Sequence, residues 1–256
     1  MHIKPLVTVV TPSFNQGQFI EETILSVLNQ TYKNIQYIIV DGGSTDITME
    51  IVKKYRNKID TIIHEKDNGQ TDAINKGFKL AKGDLVGWLN SDDILYPNCI
   101  EKIVNVFLEN PNGAIFYNQN NDFINSDSAR IKTYTKNIPD RNYLLNTNYD
   151  VIQPGSFYST VLVKKVGYLN SKVHYCMDLD LWLKLLNYGT LHDISHKPTA
   201  GFRVWEGTKT TLGRSKFLKD IRQVLIKNGA SYTSISVQKT IWYSIKDYIN
   251  KFLLQK

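Results

Sequence analysis

Long apolar runs are missing from this sequence: the longest, such as residues 35–40, fall far short of the roughly 20 residues that a bilayer crossing needs. Residues 1–5 do not open a signal peptide, so the expected location is the cytoplasm. Cysteine is nearly absent. Cys99 and Cys176 stand far apart without metal-ligand spacing, which excludes a disulfide scaffold and a zinc ribbon and leaves two buried thiols. No Pro/Gly/Ser-rich linker or low-complexity tract points to disorder. No Gly-x-Gly-x-x-Gly fingerprint and no loop ending in Gly-Lys-Ser/Thr occurs, which removes the usual signatures of hydride transfer and P-loop chemistry.

What is present fills a core. Hydrophobic residues make up 42% and aromatics 11% of 256 residues, a length that predicts one domain plus an appendage. The net charge of +7 is uneven: residues 197–256 hold 12 Lys and Arg against 3 Asp and Glu, a net +9, and residues 1–196 a net −2. A basic tail on a slightly acidic body fits an anionic surface or a diphosphate-bearing substrate, and equally a solvated charged face. No recognition helix or stacking motif accompanies the charge, so no nucleic-acid partner is expected.

The β-branched run at residues 6–10 leads into a turn-forming stretch and then a helical pattern carrying Phe19, Ile20, Ile24, Val27 and Leu28. The unit repeats as a strand over 35–40, a Gly/Ser loop over 41–46 and a helix over 47–55 that Asp46 can cap. A third strand is predicted at 61–64, a helix at 71–81 and a fourth strand at 85–89. Such alternation implies an α/β fold, a mostly parallel central sheet flanked by helices, with ligands beyond the carboxyl ends of the strands. The loops at Thr11, Asp41 and Ser91 should therefore converge. A further strand is expected at 113–117, a hairpin or loop over 118–148, and a helix from about Asp178 with Leu181, Trp182, Leu185 and Leu186 on one stripe. Two helical patterns close the chain, the second carrying Ile241, Trp242, Ile245, Tyr248, Ile249, Phe252 and Leu253.

The strand at 85–89 ends in Asn90-Ser91-Asp92-Asp93, two carboxylates at the sheet's ligand edge before a helix that Pro97 helps to start. Adjacent carboxylates repel, whereas Mg²⁺ or Mn²⁺ takes hard oxygen ligands and bridges them to a diphosphate. The alternative is a helix cap with the second Asp solvated. Asp41-Gly42-Gly43-Ser44 offers two glycines that admit a close ligand, and side chains able to bond a base or ribose.

Taken in order, Val7-Thr8-Val9-Val10-Thr11-Pro12-Ser13-Phe14-Asn15, Asp41-Gly42-Gly43-Ser44-Thr45-Asp46, Gly69-Gln70-Thr71-Asp72-Ala73-Ile74-Asn75-Lys76-Gly77 and Trp88-Leu89-Asn90-Ser91-Asp92-Asp93 resemble family 2 inverting glycosyltransferases. His174-Tyr175-Cys176-Met177-Asp178-Leu179-Asp180 looks like the acidic segment that carries that family's base. The resemblance spans residues 5–210 and implies a GT-A fold, Rossmann-like, whose catalytic domain covers 1–213, with a nucleotide-sugar half to 112, an acceptor half over 113–213, and a basic helical appendage over 214–256. It also implies Mg²⁺ or Mn²⁺ on Asp92 and Asp93, a nucleotide-diphosphate sugar donor, here a UDP-sugar, and transfer with inversion to a hydroxyl of an acceptor glycan. The expected setting is bacterial surface polysaccharide or lipopolysaccharide assembly. Carried over by position, Thr11, Pro12, Ser13, Phe14, Asp41, Gly42, Ser44, Asp72, Asn90, Ser91, Asp92 and Lys209 would bind the nucleotide sugar, and Asp178 would be the base.

The sequence departs from the family pattern at four places. Asn90 replaces a carboxylate, Gly42 stands where many relatives carry a second Asp, Met177 replaces an acidic residue, and Trp205 stands where a His is usual. Asp180 stays open as an alternative base, and capping the following helix as an alternative role for Asp178. A non-catalytic nucleotide-sugar or glycan-binding protein on the same fold is the rival reading. For the tail, packing on the domain competes with peripheral contact on the inner, anionic face of the cell membrane, where a lipid-linked acceptor would lie.

Overall fold

The computed structural model describes residues 4–206 and 214–254. The β-branched runs form β1 (Val7–Ser13) and β2 (Ile35–Asp41), paired in parallel from Val7 with Ile35 to Ser13 with Asp41. β4 (Leu85–Trp88) joins the other side of β1 and β3 (Thr61–His64) the outer side of β2, both parallel. β6 (Ile115–Tyr117), β9 (Phe157–Ser159) and β10 (Leu191–Asp193) complete a seven-stranded sheet in the order β10-β6-β9-β4-β1-β2-β3. Only β9 runs against its neighbours.

The strands read as continuous apolar runs because helices cover both faces. Val9 and Ile39 pack with α1 (Ile20–Leu28), α2 (Thr48–Lys54) and α4 (Cys99–Glu109), while Val10, Ile38 and Val40 pack with α3 (Gln70–Leu80), α6 (Thr160–Lys165) and α7 (Met177–Leu185). Each such side chain, fully buried, contributes about 1.5–3 kcal/mol. α3 lies unusually close to β1: a Cβ on Gly77 would collide with the Val10 side chain, so a glycine is required at the crossing.

A second sheet, ordered β5-β11-β7-β8, stands beside the first and contains β5 (Ile94–Leu95), β7 (Asn120–Ile124), β8 (Arg130–Thr135) and β11 (Ala200–Arg203). β7 and β8 form a hairpin within the Asn-rich stretch, with a register shift at Phe123 and Ile124. Helix α5 (Arg141–Asn146) follows, capped by Asp140, which accepts from Tyr143 N–H at 2.7 Å.

Two helix starts differ from the sequence expectation. Helix α2 begins at Thr48, and Asp46 acts from outside it, accepting from Thr48 N–H at 3.0 Å and from Gly17 N–H at 2.9 Å. Helix α7 begins at Met177 with Cys176 at its N-cap, so Asp178 lies inside the first turn and its N-cap role falls away. Trp182 is a core residue, wholly buried, with its indole N–H on Tyr158 Oη at 3.2 Å.

The chain closes with α8 (Arg214–Lys227) and α9 (Ile235–Leu254). Ile221, Val224, Leu225 and Val237 join the same buried cluster as Trp182. Arg141 ties the junction by donating to the Leu183 carbonyl at 2.9 Å and the Asn228 carbonyl at 2.8 Å.

Candidate active site

β1, β2, β3 and β4 end at one edge of the large sheet, and the loops leaving them border a cleft of about 770 Å³. β1 and the residues after it supply Pro12, Ser13, Phe14 and Gln16, and the β2 loop supplies Gly42 and Gly43. The β3–α3 loop adds Lys66, Asp67 and Gln70, and the loop after β4 adds Asn90, Ser91 and Asp92. Asp178 comes from the first turn of α7, and Phe202 and Trp205 from the small sheet and the segment after it. Two buried polar atoms at the β1 end, Ser13 Oγ and Gln16 Oε1, have no hydrogen-bond partner among the described residues. Unpaired buried polar atoms cost about 1–3 kcal/mol each, so their presence on a cleft wall points to a polar ligand.

Asp92 faces the cleft and accepts from Trp205 Nε1–H at 3.1 Å. Burial raises its carboxyl pKa, against hydrogen bonds from Trp205 and its own backbone and the charge of Arg203. Asn90 is locked by Gln70 Nε2, which donates to its carbonyl at 2.8 Å, and by its own amide, which donates to Asp93 at 3.0 Å.

Several expected contacts lie elsewhere. Asp93, expected on the metal, is 1% exposed and turned from the cleft: its carboxylate accepts from Arg203 N–H at 2.9 Å, and burial, then the Asp92 charge, hold its pKa well above the usual carboxylate range. Arg203 is itself buried, paired with Glu22 at 2.6 Å and donating to the Asp92 carbonyl at 2.7 Å, so Asp93 and Arg203 brace the loop that presents Asp92. Asp41 is wholly buried and its oxygens are taken by Gly43 N–H, Ser44 N–H, Ser44 Oγ–H and His64 Nδ1. Ser44 is spent on Asp41 and on Asn15 N–H, so both residues shape the glycine loop instead of lining the cleft. Thr11 is buried against Tyr37, its hydroxyl 3.1 Å from the phenol. Asp72 accepts from Asn68 N–H at 3.1 Å and stands 3.7 Å from Lys76 on α3. Asp180 is buried and paired with Lys184 at 2.5 Å, which leaves Asp178 as the α7 carboxylate on the cleft. Lys209 lies outside the described residues.

Lys66, Asp67, Gln70 and Gln153 line the cleft without having been singled out in the sequence. For the first three a signal existed: the rule that ligands sit beyond strand carboxyl ends applies to β3 as it does to β1, β2 and β4. Asp67 stands against Gly42, where a Cβ would lie 2.5 Å from Asp67 Oδ2. A carboxylate from the neighbouring loop thus occupies the space that a side chain at position 42 would fill. Gln153, which donates to the Trp88 carbonyl at 2.7 Å, carries no local sequence signal.

Residues 8–167 match the family model described as glycosyl transferase family 2. An uncharacterized glycosyltransferase of Rickettsia typhi is 28% identical over 98% of this chain and 83% of its own length. Among solved structures, S. aureus TarS 1–349 in complex with UDP-GlcNAc superposes with a TM-score of 0.67 at 18% identity over 92% of this chain and 69% of that one. Mannosyltransferase PcManGT from Pyrobaculum calidifontis, in complex with GDP-Man and Mn²⁺, superposes with a TM-score of 0.64 at 16% identity, over 88% and 64%.

Proposed function

Because the chain belongs to glycosyl transferase family 2 and has the GT-A fold, we propose that its cleft binds a nucleoside-diphosphate sugar and transfers the sugar, with inversion, to a hydroxyl of an acceptor glycan. The observation that carries this reading is the placement of Asp92 and Asp178 on one cleft whose β1 end holds two unpaired polar atoms. The nucleoside lies over Pro12, Ser13 and the glycine loop, and Asp67 reads the base. A carboxylate there favours a base that donates a ring N–H, as uracil and guanine do. TarS, solved with UDP-GlcNAc, and the mannosyltransferase, solved with GDP-Man, lend both bases support. We take the donor as a UDP-sugar.

In the transfer, Asp178 removes the acceptor O–H proton as that oxygen attacks the anomeric carbon, and the bond from that carbon to the diphosphate oxygen breaks in the same in-line displacement. The electron pair leaves with the nucleoside diphosphate and no covalent enzyme intermediate forms. The donor set suits a hard divalent cation: the Asp92 carboxylate faces the cleft with Trp205 holding one oxygen, and a cation of this class takes its other oxygens from phosphates and water. Mg²⁺ or Mn²⁺ held by Asp92 and the diphosphate would offset the charge of the leaving group. Asn90 and Trp205 keep the Asp92 loop and carboxylate in place.

The test is a panel of nucleotide sugars titrated with and without Mn²⁺, followed by transfer or donor hydrolysis with Asp178→Asn. The variant is expected to keep donor affinity and lose about 10²–10⁴ in rate, the range for removal of a general base. Loss of donor affinity with rate unchanged per bound donor would instead make Asp178 a binding residue, and a wild-type protein that binds nucleotide sugars without turnover would favour the non-catalytic reading.

A further inference from the structure

A second groove, about 360 Å³, opens beside the donor cleft, within the size range of small-molecule sites. Gln153, Tyr175, Asp178 and Phe202 line both, so Asp178 stands at their common wall. The groove's sides are aromatic: Phe123 and Tyr134 from the β7–β8 hairpin, Phe202 from β11, Tyr149, Tyr175, and Phe217 from helix α8. Phe123 packs against Tyr134 at 5.4 Å and Phe202 at 5.6 Å between ring centroids, and Phe217 meets Tyr175 at 6.3 Å. All six rings are half-buried, which leaves part of each available to a ligand.

Carboxylate and amide oxygens also line this groove. Asp122 and Asp150 line it, and Asn121, 3% exposed, donates its amide N–H to the Pro154 carbonyl at 2.7 Å while its Oδ1 has no partner among the described residues. No Lys, Arg or His is among the described residues that line the groove. Lys132 and Lys136 lean over the Phe123 and Tyr134 rings, and Lys136 is held by Asp150 at 2.5 Å. Flat apolar faces edged by oxygen acceptors, among them the unpartnered Asn121 Oδ1, suit a pyranose ring, which offers C–H bonds on its faces and O–H donors around its rim. A uronate or phosphate would bring its negative charge towards Asp122 and Asp178 and be repelled.

We propose that this groove binds the acceptor's terminal sugar, that this sugar is an uncharged hexose or N-acetylhexosamine, and that helix α8 is part of the acceptor site through Phe217. The proposal rests on the glycosyltransferase reading above. A neutral ring held against Phe123 and Phe217 places a hydroxyl at Asp178, on the boundary with the donor cleft.

Saturation-transfer NMR on the full chain tests it, using methyl glycosides of neutral hexoses and N-acetylhexosamines, methyl glucuronide and a hexose phosphate, each with and without UDP. Neutral glycosides are expected to bind and to stay bound when UDP is added. Phe217→Ala and Phe123→Ala are expected to weaken glycoside binding about 5- to 10-fold, the scale of one lost aromatic contact in a groove, with UDP affinity unchanged. Retained UDP affinity shows that a variant is folded; if Phe217→Ala fails that check, Phe217→Leu and Phe123→Ala take its place. UDP binding without glycoside binding, preference for the glucuronide or the phosphate, or displacement of glycoside by UDP would each overturn the groove assignment while leaving the donor reading intact. Glycoside binding without any nucleotide-sugar binding would instead sink the donor reading alone.

Discussion

Asp67 and Gly42 make a single chemical unit from two loops, since the carboxylate of one fills the space left by the missing side chain of the other. Asp67→Asn keeps an oxygen for Gly69 N–H, which Asp67 now accepts at 2.8 Å, but replaces the charged acceptor proposed to read the base with an N–H₂ donor. The expected outcome is a fall in UDP or GDP affinity of about tenfold or more, the size of one hydrogen bond to a charged group, with thermal stability unchanged. Isothermal titration with UDP, GDP and CDP checks it. An unchanged ranking of the three nucleotides would remove Asp67 as the base reader. Nothing in residues 41–46 discloses this arrangement, because it depends on how far the β3–α3 loop leans across β2. The same limit explains why Asp92 and Asp93 were indistinguishable in sequence: adjacent residues point in different directions, and only the position of Arg203, 110 residues later, decides which carboxylate is turned inward.

Helices α8 and α9 show how little a charge count says about where an element sits. Packing on the domain and contact with a membrane both stayed open for the basic tail, and the apolar stripe of α8 enters the core beneath α7, where Leu225 is wholly buried beside Ile221 and Val224. Leu225→Ala is therefore expected to cost about 2–5 kcal/mol, the range for a large-to-small change in a packed core, and to lower the midpoint of denaturant unfolding in step. A change under about 0.5 kcal/mol would mean that α8 docks only loosely. The strands and helices of residues 7–109 were far more legible, because each carries its own period of apolar residues and its own turn signals. The strands β9, β10 and β11 were not. They have three or four residues each, too few for a period, and they are held in place by neighbours distant in sequence.

Across the whole molecule, the donor cleft and the aromatic groove are joined at Asp178, and α9 carries a different surface. Trp242, Ile245 and Ile249 are 56%, 54% and 49% exposed and share one face of α9, with Lys246 over the Trp242 ring at 5.3 Å. No described helix is long and apolar enough to cross a membrane. An exposed apolar stripe flanked by lysine is the pattern of an interfacial helix, for which each basic residue near an anionic bilayer would contribute about 1 kcal/mol, and reversible contact is the outcome to be tested. Sedimentation with phosphatidylserine-containing vesicles is expected to pull down the full chain at low salt and release it at high salt. Trp242→Glu together with Ile245→Glu should abolish the effect without changing donor affinity. Full-length protein that stays in solution at low salt would assign the stripe to another partner.

The order of motifs along the chain carried the family resemblance, while the mostly parallel sheet and the convergence of several loops on one edge followed from local period, turn chemistry and the handedness of the crossovers. Which side chains face the cleft was decided by tertiary structure alone. Asp41, Ser44, Thr11, Asp72 and Asp93 sit within a few residues of the cleft in sequence, yet each is taken by a hydrogen bond or ion pair. Several of those partners, Asn15 for Ser44, Tyr37 for Thr11 and Arg203 for Asp93, come from another element. A buried carboxylate goes to whichever donors the packing brings within reach, and that choice is made by contacts distant in sequence.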